Sequence, residues 1–348
     1  MIKTMIYPYD EESYPLVKFK NRLSEIEIVK TVSPKGWRFK ENEINGIKVE
    51  YDFITALDEC EAVWFVEPML ELPFEEMIIP KLDLAIQKNK SIIWTRKENL
   101  KCDKEYKRIE KETDGVEENL FESEELYKID IPVIAVLGIT ERTNKYEIQL
   151  ALQQELEMRG INTYILGSRN IPFFSRVFRI PEKLLNMQND RYQILGFNHY
   201  VKRIEKVYQP DCIIVGVPGE TSAFSTKIVN NFGMLCKKML EAINPDLVVL
   251  STADELFEKQ GVIELKNSIK ERLNVEVDYV NVVPRYLDFY ESQLSGKLNF
   301  ITLEDEFVLD NINLLSLDNV YCLTREQEVK KLVDNILKIL SGDKYEVL

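Results

Sequence analysis

Residues 131–160, IPVIAVLGITERTNKYEIQLALQQELEMRG, constrain the fold more than any other part of the chain. Val133, Ile134, Ala135, Val136 and Leu137 form an unbroken apolar run of strand length, which suits a strand buried on both faces of a parallel sheet. Ile148, Ala151, Leu152 and Leu156 then recur at helical spacing, and Gly160 ends the pattern. Between them lies a polar turn that opens on Gly138 and holds Thr140, Arg142, Thr143, Asn144 and Lys145. Strand, glycine-led turn and helix are the grammar of a phosphate-binding loop, in which turn amides and a helix N-terminus surround an anion. Lys145 occupies the place of the phosphate lysine.

The spacing departs from G-x-x-x-x-G-K-[ST]. Gly138 lies seven residues before Lys145, Asn144 stands for the second glycine, and Tyr146 replaces the Ser or Thr that holds magnesium. Asparagine tolerates a left-handed backbone, so the turn survives that exchange. The lost hydroxyl weighs more, because phosphoryl transfer at such loops relies on the ion bridging the phosphates. Two readings stay open. The loop binds ATP, GTP or another phosphate-bearing ligand, with magnesium left undecided; or it is a plain strand-to-helix turn with Lys145 solvated in the first helical turn.

A chain of 348 residues exceeds one ordinary core and suits two domains. With 59 acidic and 45 basic residues the net charge is −14, which offers no electrostatic footprint for nucleic acid or an anionic membrane. A basic partner remains compatible. No stretch approaches the roughly 18 apolar residues of a membrane span, and the opening MIKTMIYPYDEE lacks the apolar region of a signal peptide, so a cytoplasmic protein is expected. Cys60, Cys102, Cys212, Cys236 and Cys322 show no C-x-x-C spacing, so no structural metal or disulfide is expected. Cys212 and Cys236 sit in apolar runs and read as buried thiols. His199 is the single histidine, and on a helix it reads as a packed or surface residue more readily than a catalyst.

The fold class expected is α/β, with two domains: a Rossmann-like parallel sheet over 1–95 and a P-loop-like, three-layer parallel sheet over 130–348. In the first, apolar runs at 3–7, 26–32, 62–66 and 91–95 alternate with helical signals around Ile54 to Asp58 and Ile79, Leu82 and Ile86. No G-x-G-x-x-G follows the first run, which disfavours a dinucleotide site. Residues 96–129 carry mixed charge with scattered apolar positions and read as a linker or surface segment.

The second domain repeats its pattern. A run at 163–166 ends in Gly167, Ser168 and Arg169; Pro210-Asp211 precedes a run into Gly216, Val217, Pro218, Gly219 and Glu220; Pro245-Asp246 precedes a run into Ser251 and Thr252; and 275–280 suggests a further strand. Ile228, Phe232, Leu235, Cys236 and Met239 suggest one helix face. Open parallel sheets bind ligands at the carboxyl ends of their strands, so one rim should gather the Gly138 to Lys145 turn, Ser168, Arg169, Gly216, Gly219, Glu220 and Ser251. The basic members suit an anion, and Glu220 suits a base or metal ligand. Gly216, Pro218 and Gly219 equally suit a turn with no ligand.

The motifs YPYDEES at 7–13, VSPKGW at 32–37, NKYEIQL at 144–150, GSRN at 167–170, FNHYVK at 197–202, IVGVPG at 214–219 and NNFG at 230–233 resemble the peptide maturation system proteins of clostridial natural-product clusters. That resemblance implies a precursor peptide and a radical-SAM maturase as partners. It names a pathway and no reaction, so an enzyme and a non-catalytic scaffold presenting the peptide both fit. More distantly, the order of Rossmann-like domain, P-loop-like unit and two Pro-Asp strands is similar to the D-glutamate N-acetyltransferase family, which implies an acyl-CoA- or nucleotide-dependent transferase. Gly138 and Lys145 keep that pattern, while Asn144 and Tyr146 depart from it.

Overall fold

The computed structural model describes residues 1–37, 42–69, 72–98, 107–109, 121, 123–171, 173–253 and 259–341. Cys102 and most of the charged segment between 99 and 122 lie outside the described residues. The chain divides into two compact units, Met1–Thr113 with Asn170–Ser175, and Asp114–Arg169 with Arg176–Leu348.

The first unit runs β1 (Ile2–Tyr7), α1 (Tyr14–Lys18), β2 (Ile26–Val32), β3 (Glu43–Ile44), β4 (Ile47–Glu50), α2 (Phe53–Asp58), β5 (Ala62–Phe65), α3 (Ile79–Gln87) and β6 (Ser91–Trp94). Its sheet has the order β3-β4-β2-β1-β5-β6. The pairs are parallel except β3 with β4, an antiparallel edge hairpin. Asn45 and Gly46 turn that hairpin with φ of 48° and 79°, the left-handed pair that matches the twist of the strands. β5 and β6 are buried at every position, as strands covered on both faces must be. The segment Asn170–Ser175 contributes Phe173 and Phe174 to this core. Ser24 donates its amide and its Oγ to the Phe173 carbonyl at 2.8 and 3.0 Å, and Trp64 meets the Phe173 ring edge-on at 5.4 Å. Part of the charged segment also has a fixed place, since Ile92 exchanges backbone hydrogen bonds with Lys107 and Ile109.

The second unit runs β7 (Val133–Gly138), α4 (Lys145–Met158), β8 (Thr163–Gly167), β9 (Val177–Arg179), α5 (Glu182–Leu185), α6 (Asp190–Tyr208), β10 (Cys212–Gly216), α7 (Met234–Ile243), β11 (Leu247–Thr252), α8 (Lys259–Leu273), β12 (Tyr279–Val282), β13 (Arg285–Leu287), α9 (Phe289–Ser295), β14 (Phe300–Thr302), α10 (Asp305–Leu314), β15 (Val320–Tyr321) and α11 (Glu326–Leu340). Seven parallel strands take the order β15-β12-β11-β7-β10-β8-β9, and β13 and β14 form a separate hairpin. This is the three-layer, P-loop-like arrangement. α4 packs on β7, β8, β10 and α11, while α6 packs on α7, which also meets β7 and α8. Val133, Ala135 and Leu137 join the core shared with Phe197, Val201 and Ile204 of α6 and Met239 and Leu240 of α7. Each of these side chains except Ala135 gains about 1.5–3 kcal/mol by leaving water.

The Pro-Asp pairs have a role beyond ending helices. Asp246 exchanges bonds with Val133, its amide donating to the carbonyl at 2.9 Å and its Oδ2 accepting the Val133 amide at 2.8 Å. Asp211 does the same with Asn162, and Asp278, which follows Val277 and no proline, does so with Val248. Each carboxylate closes the amino end of a strand pair whose first amide would otherwise face no partner, and so fixes the register.

Two expectations change. The strand foreseen at 275–280 is β12 at Tyr279–Val282, with Asp278 spent on the clamp. The helix foreseen from Ile228 begins at Met234, because Asn230, Asn231, Phe232 and Gly233 hold φ of 47°, 47°, 54° and 76°. Four left-handed residues cannot enter a right-handed helix, and Phe232 lies exposed instead of on the buried face.

Candidate functional site: the β7 to α4 turn

From β7 the chain runs first to the flank of β8, β9 and β10 and then to the flank of β11, β12 and β15. The carboxyl end of β7 is therefore the topological switch point, where open parallel sheets form a crevice. Gly138 ends β7 because the turn folds back on it: a Cβ there would lie 2.4 Å from Thr143 Oγ1 and 3.0 Å from the Thr140 carbonyl. Thr140 and Thr143 are both buried and stitch the turn internally. Thr143 Oγ1 donates to the Thr140 carbonyl at 3.2 Å, and Thr140 Oγ1 to the Glu141 carbonyl at 3.1 Å. Arg142 and Asn144 take left-handed φ of 61° and 55°. Alternation of this kind turns successive amides toward one concavity, and among the described residues no acceptor meets the amides of Glu141, Arg142, Asn144 or Lys145.

The turn is tethered from outside. Ser251 on β11 donates its hydroxyl to the Thr143 carbonyl at 2.6 Å, Asn281 on β12 donates to Ser251 Oγ at 2.8 Å, and the Leu323 amide donates to Asn281 Oδ1 at 2.8 Å. Arg285 on β13 donates to the Arg142 carbonyl.

Lys145 is the first residue of α4, as the sequence pattern required, yet it is not solvated. Its side chain crosses to the loop after β10, where Nζ donates to the carbonyls of Val217 at 3.2 Å and Gly219 at 2.9 Å. Burial lowers its pKa from the usual lysine value; the nearby Cys236 and Glu220 raise it, and Arg169 lowers it further. An ammonium has three donors, and among the described residues two are taken. In the first turn Glu147 accepts from Asn144 Nδ2 at 3.0 Å, and before the helix Glu141 lies 3.9 Å from Arg142 Nε.

Of the remaining rim residues, Gly219 accepts from Lys145, Glu220 and Arg169 act on it through their charges, and Ser251 holds its turn, while Gly216 lies against Gln149. Half-buried Glu220 acts on both Lys145 and Cys236 through its charge. Ser168 is exposed and makes no hydrogen bond to the turn among the described residues. The sequence reading missed Gln149, one turn into α4. It is buried, donates to the Leu166 carbonyl at 2.9 Å, and fills the space a Gly216 side chain would need, with Oε1 2.4 Å from the missing Cβ. Its polarity within an apolar helix face was the available signal.

The position after Lys145 offers no aliphatic hydroxyl for a magnesium ion. Tyr146, in the Ser/Thr position, is buried with its ring under the Arg169 guanidinium, whose carbon lies 5.3 Å from the ring centroid. Among the described residues no group of three or more His, Cys, Asp or Glu side chains is placed to hold a metal ion. Cys212 and Cys236 are buried thiols as expected, each pushed up to about 12 by burial. His199 is packed: Nε2 lies 2.8 Å from the Glu125 carbonyl, and the ring meets Tyr127 at 4.7 Å. Asn198 beside it accepts the Tyr127 amide and donates to the carbonyls of Tyr127 and Ala242, so the pair pins the segment before β7 onto α6. No helix among the described residues is long and apolar enough to cross a membrane.

Neither a protein-family model nor a curated protein matches the sequence. Among solved structures, the chain is similar to a DUF1611 family protein from Anabaena variabilis, with a TM-score of 0.59 and 13% identity over 97% of this chain and 100% of that one. Weaker likenesses cover 62% of this chain: the MinD cell division protein of Aquifex aeolicus, TM-score 0.34, 14% identity and 99% of that chain; and cobyrinic acid a,c-diamide synthase of Mycobacterium smegmatis, TM-score 0.37, 11% identity and 97% of that chain. None of these comparisons bears on the peptide-maturation resemblance. The chain shares the α/β fold of the DUF1611 protein, and at this identity the chemistry rests on the residues described above.

Proposed function

We propose that the protein binds a phosphate-bearing ligand in the β7 to α4 turn, with ATP and GTP the first candidates, and holds it without hydrolysing it. One observation carries this reading: the Lys145 ammonium is lodged between the turn and the β10 loop, with one donor unspent and unengaged amides beside it. Tyr146 in place of the magnesium hydroxyl favours holding over hydrolysis. The role in peptide maturation, with a precursor peptide passed to a radical-SAM maturase, is supported by the sequence motifs alone; within it the protein acts as a ligand-gated scaffold. Glu220 then serves as the charge partner of Lys145.

Thermal and urea denaturation with ATP, GTP and pyrophosphate tests the reading. A ligand at about 100 times its Kd stabilises the fold by roughly 2.7 kcal/mol. Lys145→Ala is expected to abolish that gain, while itself costing about 1–3 kcal/mol because the Val217 and Gly219 carbonyls lose a donor. If no phosphate ligand shifts the wild type, or Lys145→Ala retains the shift, the proposal fails.

A further inference from the structure

The backbone at 230–233 disagrees with its own sequence. Phe232 stands three, four and seven residues before Leu235, Cys236 and Met239, so a right-handed helix continued back from Met234 would lay its ring on the face that Cys236 and Met239 already bury. The observed left-handed turn instead leaves Phe232 67% exposed. Asparagine and glycine tolerate that conformation; a phenylalanine held in it is an outlier that persists only where its surroundings fix it. Here the loop after β10 does so. Asn230 Nδ2 donates to the Ser222 carbonyl at 3.1 Å, and Gly233 packs so closely on Thr221 that a Cβ there would lie 2.3 Å from the Thr221 carbonyl oxygen. The loop is itself in an unfavourable state, because the Thr221 hydroxyl is buried with no hydrogen-bond partner among the described residues.

The other end of this loop is held by the phosphate turn. Lys145 Nζ donates to the carbonyls of Val217 and Gly219, and Gly219 rests on the first turn of α7, where a Cβ would lie 3.5 Å from the Cys236 amide nitrogen. One ammonium thus fixes a loop that fixes the left-handed turn. Both of its acceptors are neutral carbonyls, and Glu220 reaches it through charge alone. A phosphate oxygen makes a charge-assisted hydrogen bond about twice as strong as a neutral one, so an anion in the turn competes well for this ammonium.

We propose that residues 217–233 form a latch worked by the ligand of the turn. A phosphate there draws the Lys145 ammonium off the Val217 and Gly219 carbonyls, the loop releases Asn230 and Gly233, and 230–233 becomes an added right-handed turn of α7 with Phe232 buried. This rests on the phosphate-binding reading above. The ligand-free protein shows Phe232 to solvent and the liganded protein withdraws it, so occupancy of the turn is reported at the surface.

Coupling of this kind is reciprocal: a substitution that favours either backbone changes affinity for the ligand without touching it. Gly233→Ala disfavours the latched form twice, through its φ of 76° and its contact with Thr221, and alanine suits a helix better than glycine. Phe232→Gly relieves the latched turn and removes the side chain that the added helical turn buries. Calorimetric titration of the whole chain with inorganic pyrophosphate and with ADP, together with amide hydrogen exchange across 217–236, tests the latch. Saturating pyrophosphate is expected to slow exchange at 230–236 and to speed it at 217–222. Gly233→Ala should bind pyrophosphate about fivefold or more tightly than wild type and show the slowed exchange without ligand, and Phe232→Gly should bind about fivefold or more weakly. The ligand-free melting temperature shows whether each variant folds; should Gly233→Ala not fold, Phe232→Gly and the wild-type exchange still decide. A wild type that binds either probe with exchange at 217–236 unchanged, or variants that bind as wild type does, overturns the latch and leaves the phosphate loop standing. A wild type that binds neither probe overturns both.

Discussion

Ser251 donates to the Thr143 carbonyl at 2.6 Å while accepting from Asn281 at 2.8 Å, so one hydroxyl joins the turn after β7 to two neighbouring strands. Ser251→Ala removes a donor and an acceptor from a buried place at once. The expected loss is about 1–3 kcal/mol of unfolding free energy by urea titration, with weaker ligand affinity, because an untethered turn must be ordered on binding. Unchanged stability would mean that the relay does not hold the turn.

Gly216→Ala is expected to cost about 1–3 kcal/mol, because the new methyl group would occupy the place of the buried Gln149 amide. The double variant Gly216→Ala/Gln149→Ala should be more stable than the sum of the two single changes predicts. Strict additivity by urea titration would show that the two residues do not compete for the same space.

The cysteines give a chemical readout. Burial pushes Cys60 and Cys322 up to about 11 and Cys212 and Cys236 up to about 12. The thiolate is the reactive form, so these four should resist alkylation in the native protein near pH 8 and react in denaturant. Peptide mapping after brief alkylation checks this; fast native labelling of Cys212 or Cys236 would contradict their burial.

In the first unit, burial raises Asp10 from 3.8 to about 6, outweighing the amides of Met69, Glu12 and Ser13 that favour its carboxylate. The folded state therefore holds a proton that the unfolded state releases between these values. The stabilisation is complete below the unfolded value and is lost as pH rises through about 6, a fall on the order of 2–3 kcal/mol. Urea unfolding across this range should show a steeper decline for the wild type than for Asp10→Ala; equal slopes would refute it.

Much of the sheet architecture was legible because central parallel strands must be apolar at every position, and 133–137, 212–215 and 247–250 are. The turn was legible for the same reason: Gly138, Asn144 and Lys145 each answer a local demand of backbone or charge. The hairpin of β3 and β4 carried its signal in Asn45-Gly46, which the expectation of a wholly parallel sheet passed over. What the sequence does not show is where Lys145 points, because its carbonyl partners lie more than seventy residues on. Gln149 is hidden in the same way: its role depends on which strands become neighbours, and strand order is a property of the assembled sheet. The left-handed run at 230–233 was obscured by Phe232, whose apolar side chain suits a helix face while its backbone does not.

The loan of Asn170–Ser175 to the first unit bears on how the protein is made. Phe173 and Phe174 are core residues of a unit whose other strands have all been synthesised by Trp94. On the ribosome that unit must wait, its hydrophobic centre incomplete, until β7, α4 and β8 have followed it out. The turn after β7 is thus synthesised before the unit that precedes it in sequence has its full core.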